Sequence, residues 1–141
     1  MNRYNKKLVS LFILFMMSMN IFSETAVILD PTKNQKTGVY VSPNGTTVID
    51  INTPSQNGIS VNDFLKWGVD KNGQVLNNAD GIGRSHLAGV INPNNNLAPN
   101  QAAKLIVIQV NGNNRSDIEG YIEALSREKV KELVEKRSYG M

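Results

Sequence analysis

The sequence predicts an all-β domain built from short strands and tight turns, followed by a short C-terminal helix. From Val39 onward, short runs of apolar and β-branched residues alternate with turn signals such as Pro43-Asn44-Gly45. The dipeptide Asn-Gly occurs four times, at Asn44, Asn57, Asn72 and Asn111. Each occurrence lets the backbone enter a left-handed conformation at little steric cost. Such a density of tight turns is unusual in a helical protein.

The first 23 residues predict a secretory signal peptide. Three Lys or Arg residues precede an apolar stretch from Leu8 to Phe22, and the small residue Ser23 lies where cleavage is expected. The apolar stretch is shorter than the ~20 residues that a membrane-spanning helix needs. We therefore expect the Sec export machinery to take the chain and the mature protein to begin near Glu24. An uncleaved N-terminal anchor is the alternative.

Charge and cysteine content exclude several classes of function. The net charge of +3 comes from the leader, because twelve basic and twelve acidic residues remain in the mature chain. A neutral domain lacks the positive surface that nucleic acid or an anionic membrane attracts, so we expect no nucleic-acid partner. The chain has no cysteine. A disulfide framework and a Cys-based zinc site are therefore impossible.

The run from Ala102 to Val110 predicts the strongest strand. Its β-branched residues are nearly continuous, and Asn111-Gly112 ends it, so we expect both of its faces to be buried. The block before it, from Asn92 to Asn100, contains two prolines and five asparagines. Such a composition favours turns over regular structure, and it predicts a loop with Leu97 as its only large apolar anchor.

The pattern becomes helical after Gly120. Apolar residues then fall near helical spacing, at Tyr121, Ile122, Leu125, Leu133 and Val134. The segment from Ser126 to Arg137 is rich in Glu and Lys. We expect an amphipathic helix within a divergent tail, residues 125–141, with its charged face in solvent.

No residue is assigned to catalysis, a metal or a cofactor. Ser85 and the single histidine, His86, can be grouped with Asp80 or Asp63, but the sequence around them lacks the nucleophile elbow and oxyanion hole of a hydrolase. The glycines of Gly81-Ile82-Gly83 lack the third glycine of a phosphate loop, and no calcium-loop pattern is present. An active site around His86 is therefore disfavoured.

Phe64 and Trp67 admit two interpretations. They could form a sugar-stacking platform, or they could belong to the core. The core is favoured, because a lone tryptophan beside a phenylalanine is more often buried.

Several stretches of the mature chain follow one another in a distinctive order. They are Val48–Pro54, Asn57–Phe64, Gly73–Ala79, Gly89–Asn94, Leu97, Ala102–Val110 and Asn111–Glu123. In this order, soon after a signal peptide, they resemble the amino-terminal secretion domain of the filamentous haemagglutinin family, the exported partners of two-partner secretion systems. The resemblance implies a partial right-handed parallel β-helix with capping strands over residues 24–124.

The resemblance also implies a partner and a site. A family motif, Asn-Pro-Asn-Leu, maps onto Asn92, Pro93, Asn94 and, after two further asparagines, Leu97. These four are the expected partner-binding residues, and the implied partner is an outer-membrane transporter of the Omp85 type. A second motif, Asn-Pro-Asn-Gly-Ile, does not follow, so we expect the opening fragment of a longer exoprotein.

Two hypotheses result. The first is a non-enzymatic secretion domain that passes through the periplasm to the outside of a Gram-negative cell, with edge strands and the Asn92–Leu97 loop as its contact surface. The alternative is a free-standing periplasmic or surface module that binds a glycan through Trp67 and the Asn-rich loops.

Overall fold

The computed structural model describes residues 26–128. The predicted signal peptide lies outside the described residues, and so does the predicted tail beyond Glu128. Residues 26–128 contain nine strands and no helix. The strands are β1 (Ile28–Leu29), β2 (Gly38–Val41), β3 (Thr47–Asp50), β4 (Ile59–Lys66), β5 (Gln74–Asn77), β6 (Gly83–Ser85), β7 (Gly89–Ile91), β8 (Leu105–Val110) and β9 (Ile122–Leu125).

The chain winds by passing back and forth between two sheets. The first sheet has the order β2-β3-β5-β9, the second has the order β1-β4-β8, and β6 and β7 form a separate antiparallel pair. Pairing is parallel between β3 and β5, β5 and β9, and β4 and β8. A parallel bridge between Val69 and Ile118 adds a third point of stacking. Each coil therefore lies on the coil before it, as in a parallel β-helix.

The two ends of this stack differ. At the N-terminal end, β1 pairs antiparallel with β4, and β2 pairs antiparallel with β3. At the opposite end, β8 pairs only with β4 and β9 pairs only with β5, within the part of the chain that the structure describes. Antiparallel strands thus cover one end of the winding, while the other end presents two strand edges.

The core fills the space between the two sheets and continues outside the first sheet. Between the sheets, Ile49, Phe64 and Leu76 pack with Trp67. Successive side chains of a strand point to opposite faces, so Val48 and Val75 point outward, where the β6–β7 hairpin covers them. Burying a residue such as Phe64 stabilises the fold by roughly 1.5–3 kcal/mol. β5 is buried along its whole length and β3 at Val48 and Ile49, so the middle of the first sheet is covered on both faces.

Two sequence-based expectations about strands are wrong. The strand predicted at Ala102–Val110 spans Leu105–Val110, and its residues are exposed or half-buried because only β4 flanks it among the described residues. The helical spacing after Gly120 also misleads, since Ile122–Leu125 is a strand. Its ladder to β5 pairs Leu125 with Asn77, and Leu125 is buried there, whereas Tyr121, just before the strand, is 83% exposed.

The Asn-Gly dipeptides make turns at three of the four positions. Gly45, Gly58 and Gly73 adopt positive φ angles of 89°, 80° and 79°, which an L-residue rarely tolerates. Gly112 has no such angle, and its role is steric, because a Cβ atom there would overlap the carbonyl oxygen of Leu65. The fourth glycine is therefore required by close packing of two coils.

Candidate functional site

The four residues predicted to bind a partner divide into a buried pair and an exposed pair. Asn92 and Pro93 are exposed, whereas Asn94 is 1% exposed and Leu97 is buried. Leu97 packs in the core between the sheets, as its predicted role of apolar anchor requires. The loop therefore offers only its first two motif residues, together with the exposed Asn95, to another molecule.

Asn94 fastens the loop to the coils beneath it. Its side-chain amide donates hydrogen bonds to the carbonyl oxygens of Ile51 (3.0 Å) and Asn77 (2.9 Å). Its side-chain oxygen accepts from the backbone N–H of Asn96 at 2.9 Å. Its backbone N–H donates to the oxygen of Ala79 at 2.8 Å. Asn94 is therefore a structural residue of the motif.

Asn77 holds the loop from the other side, and sequence reasoning missed it. Its amide donates to the carbonyl oxygen of Asn92 at 3.1 Å and to the carboxylate of Asp50 at 2.8 Å. Burial raises the pKa of Asp50, and the hydrogen bond from Asn77 opposes that rise. Asn77 lies in β5, where it pairs with Asp50 of β3 on one side and Leu125 of β9 on the other. Both partners are far away in the sequence, so no local pattern identifies Asn77.

The loop is continuous with the edge strand β2. The amide of Asn96 donates to the carbonyl oxygen of Lys36 at 2.9 Å and to that of Ile51 at 3.0 Å. Lys36 lies two residues before β2, and its own N–H donates to the side chain of Asn52 at 2.9 Å. The exposed part of the Asn92–Leu97 loop and the edge of β2 therefore form one surface, which we call the loop–edge surface.

The edge of β2 carries apolar side chains and outward-facing backbone groups. Val39 and Tyr40 are partly exposed, and Val41 is 64% exposed. Ser42 N–H donates to the oxygen of Thr46 at 2.8 Å. Hydrogen-bonded pairs alternate along an antiparallel ladder, so Val39 and Val41 direct their N–H groups away from β3. Burial, and then the charge of Asp50, raise the pKa of Tyr40, so its hydroxyl stays neutral here.

The residues of the disfavoured catalytic grouping serve structural contacts. The Ser85 hydroxyl donates to the carboxylate of Glu123 at 2.7 Å, and the backbone N–H of His86 donates to the same carboxylate at 3.0 Å. Asp63 accepts from Asn111 at 3.0 Å, and Asp80 accepts from the N–H of Asn100. Glu123, which the sequence did not identify, thus ties the β6–β7 turn to β9.

Trp67 is a core residue, and its predicted alternative role on a sugar-binding surface is wrong. The indole N–H donates to the side-chain oxygen of Gln74 at 2.9 Å, and the amide of Gln74 donates to the carbonyl oxygen of Gly68 at 3.0 Å. Both side chains are buried, at 9% and 1% exposure. The indole therefore belongs to the core and is not a sugar-stacking platform.

Residues 26–128 bring together no group of three or more His, Asp or Glu side chains that could hold a metal ion. No helix suited by length and hydropathy to span a bilayer occurs among the same residues. What this part of the chain presents to other molecules is an all-β domain with a loop and strand edges on its surface.

The comparisons with known proteins give this class of domain a family. Residues 25–131 match the family described as TPS secretion domain. The chain is 40% identical over 103 residues to "16S rRNA endonuclease CdiA" of Enterobacter cloacae subsp. cloacae, and the matched stretch covers 72% of this chain and 3% of that protein. It is 34% identical over 110 residues to "Toxin CdiA" of Yersinia pestis, and this match covers 77% of this chain and 3% of that protein.

A solved structure agrees with these relatives. The crystal structure of the filamentous hemagglutinin secretion domain, a β-helix fold, matches with a TM-score of 0.62 and 27% identity, over 71% of this chain and 32% of that one. The chain therefore belongs to the TPS secretion domain family. It is the secretion domain of a two-partner-secretion exoprotein of the CdiA and filamentous haemagglutinin type, a domain that is itself non-catalytic. It spans about 3% of the length of the curated relatives named above.

Proposed function

We propose that this secretion domain is exported through the Sec machinery and is then recognised in the periplasm by an outer-membrane transporter of the Omp85 type. Membership of the TPS family supports the proposal, because exoproteins of this family are secreted across the outer membrane. The signal peptide predicted from the sequence of the first 23 residues supports the first step. The product would be delivered to the cell surface or the medium.

The fold proposed for this function is a right-handed parallel β-helix whose N-terminal end is covered by β1 and β2. The parallel strands β3 and β5 belong to one sheet, and the chain passes through β4 of the other sheet between them. Connections of this kind between parallel strands are right-handed in about 98% of cases. The antiparallel pairing of β1 and β2 fits the role of capping strands.

The loop–edge surface is the proposed contact with the transporter. The observation that carries this assignment is the hydrogen bond from Asn96 to Lys36, which joins the Asn92–Leu97 loop to the residues just before β2, an edge strand among residues 26–128. A partner strand can pair with such an edge through backbone hydrogen bonds, while nearby side chains supply specificity. Asn92 and Pro93 lie exposed beside the edge and suit that second task.

Proline substitution at Val41 tests strand pairing directly. Because the Val41 N–H faces away from β3, Val41→Pro removes a donor for the partner and leaves the β2–β3 ladder intact. Binding of the mature chain to the purified periplasmic domains of a two-partner-secretion transporter is measured by calorimetry. We expect Val41→Pro to weaken binding about tenfold, from one lost hydrogen bond and steric exclusion of the partner strand.

The matched control is Val41→Thr, which keeps both the β-branched shape and the N–H group. It should bind like the parent chain. Thermal melting of both variants shows whether the fold is unchanged. Normal binding by a stably folded Val41→Pro chain would remove the edge of β2 from the contact, and Asn92→Ala would then test whether the loop alone is recognised.

A further inference from the structure

Asp50 is a carboxylate that the fold holds half-buried beside the loop–edge surface. It ends β3, and the amide of Asn77 donates to it at 2.8 Å and also donates to the carbonyl oxygen of Asn92 in the loop. Within residues 26–128, no Lys or Arg side chain forms an ion pair with Asp50. Burial raises the pKa of its carboxyl, and the hydrogen bond from Asn77 only opposes that rise. The charge of Asp50 therefore lacks the cation that would favour the ionised form of a half-buried carboxyl.

The side of Asp50 that faces the sheet edge is left open by a glycine. Gly38 of β2 is the residue paired with Asp50. Paired residues of neighbouring strands project to the same face, so a side chain at position 38 would lie next to that of Asp50. A Cβ atom added to Gly38 would lie 3.8 Å from the Cβ of Asp50, and that is the nearest contact it would make outside its chain neighbours. The row therefore contains a gap between the carboxylate and the outer side of β2.

Tyr40 flanks this gap on the same face. It lies two residues after Gly38 in β2, and it pairs with Val48, which lies two residues before Asp50 in β3. The tyrosine is 39% exposed, and the charge of Asp50 adds to the effect of burial in raising the pKa of its hydroxyl. The phenol and the carboxylate are therefore close enough to interact. An aromatic ring beside a carboxylate suits a guanidinium or ammonium group.

A strand added to β2 would place one of its residues opposite Gly38. Val39 and Val41 direct their N–H groups outward, so a partner strand would form its hydrogen bonds with them. Two strand spacings, about 10 Å, would separate the partner residue opposite Gly38 from Asp50. Only a long side chain spans that distance, and the gap at Gly38 lets it pass. Arginine and lysine have both the length and the charge that complements a carboxylate.

We propose that Gly38, Tyr40 and Asp50 bind an arginine or lysine side chain of the transporter strand that pairs with β2. The inference rests on the proposed function, because the cation would be carried by the strand that this function requires. Gly38 would provide the passage, Asp50 the opposite charge and Tyr40 a wall along the stem of the side chain. Backbone pairing accepts many sequences, so a charge pair of this kind would supply specificity for the partner.

Calorimetry of the mature chain with the purified periplasmic domains of the transporter, at low and high salt, tests the charge. Asp50→Asn removes the charge and keeps an oxygen that accepts from Asn77. We expect it to bind about tenfold more weakly than the parent at low salt and to lose less affinity when salt is added. The control Asp117→Asn removes a carboxylate whose side chain is 73% exposed, and it should bind like the parent. Equal binding of parent and folded Asp50→Asn at both salt concentrations would overturn the proposal.

A second variant tests the passage and decides the matter if Asp50→Asn unfolds. Gly38→Val fills the gap and keeps the charge, and valine fits the backbone because Gly38 has no positive φ angle. We expect a similar loss of affinity. The double variant Gly38→Val, Asp50→Asn should bind no more weakly than the weaker single variant, because both changes remove the same contact. Parent-like binding by Gly38→Val, or losses that add in the double variant, would contradict the proposal.

Val41→Pro separates this inference from the proposed function. If Val41→Pro weakens binding while Asp50→Asn and Gly38→Val bind like the parent, β2 pairs with a strand that needs no cation, and only this inference fails. If Val41→Pro binds like the parent, no partner strand lies beside β2, and the strand contact and this inference fail together.

Discussion

Replacing Asn94 by alanine should destabilise the domain far more than replacing any other asparagine of the loop. The side chain is almost completely buried, and it makes three hydrogen bonds, two as donor and one as acceptor. Alanine removes all three, and the carbonyl oxygens of Ile51 and Asn77 lose a buried donor. The cost therefore includes the desolvation of groups that lose a partner.

The magnitude follows from these contacts. Each neutral hydrogen bond contributes about 1 kcal/mol net, and a buried group left without its partner costs about 1–3 kcal/mol. The amide of Asn96 also donates to the Ile51 oxygen, so that carbonyl keeps one partner. We therefore expect a loss of about 3 kcal/mol, which lowers the melting temperature of a domain of this size by roughly 10–20 °C.

Urea denaturation of the mature chain, followed by circular dichroism, measures this loss. Asn95→Ala is the matched control, since Asn95 is exposed and has no side-chain hydrogen bond within the described residues; it should stay within about 0.5 kcal/mol of the parent. If Asn94→Ala is as stable as Asn95→Ala, the hydrogen bonds of Asn94 do not hold the loop. The buried half of the motif would then have no structural role.

Two further substitutions test contacts between coils. Burial acts to raise the pKa of Glu123, but hydrogen bonds from Ser85, His86 and Leu87 outweigh it and hold the pKa below its ordinary value of 4.5. The carboxylate therefore stabilises the fold above pH 4.5, and this contribution is lost as the pH falls through the folded-state pKa. Glu123→Gln should lower the free energy of unfolding, measured by urea denaturation, by about 1–2 kcal/mol at pH 7 and by less at pH 3. The exposed control Glu119→Gln should lower it little at either pH. A Glu123→Gln deficit that is unchanged at pH 3 would contradict this role. Gly112→Ala should cost about 1–3 kcal/mol in the same assay, because its Cβ would overlap the carbonyl oxygen of Leu65. The control Gly38→Ala should be nearly neutral, because its Cβ would lie 3.8 Å from the nearest atom. Equal stability of the two variants would refute the steric argument.

The strands, the turns and the loop could be predicted because their signals are local. Alternating β-branched residues and Asn-Gly turns identify β2 and β3, and the asparagines and prolines after Ile91 identify the Asn92–Leu97 loop. The same local logic fails after Gly120. Apolar residues at 121, 122 and 125 fit a helix as well as a strand, and the decision is made by β5, which lies far away in the sequence.

The contacts that organise the site are long-range, so the sequence could not reveal them. Asn77 reaches Asp50 and Asn92, and Asn96 reaches Lys36 across 60 residues of chain. Asparagine is common in this chain, and nothing in the neighbourhood of Asn77 or Asn96 distinguishes these two from the exposed Asn95. Which asparagines are buried depends on how the coils stack, and that is decided by backbone pairing.

The repeat of the winding is concealed for a physical reason. Asp50 and Asn77 are paired neighbours in adjacent coils and lie 27 residues apart. The next partner in that row, Leu125, follows only after nearly twice that distance, because the β6–β7 hairpin and the Asn92–Leu97 loop are inserted into the second coil. The hairpin covers Val48 and Val75 on the outside of the first sheet, while the loop inserts Leu97 into the interior and places its exposed residues beside β2. Together these two insertions remove the sequence period, bury Val48 and Val75 on the outer face of the sheet and build the surface proposed for recognition. The regularity that would reveal the fold is therefore lost at the segment expected to carry its function.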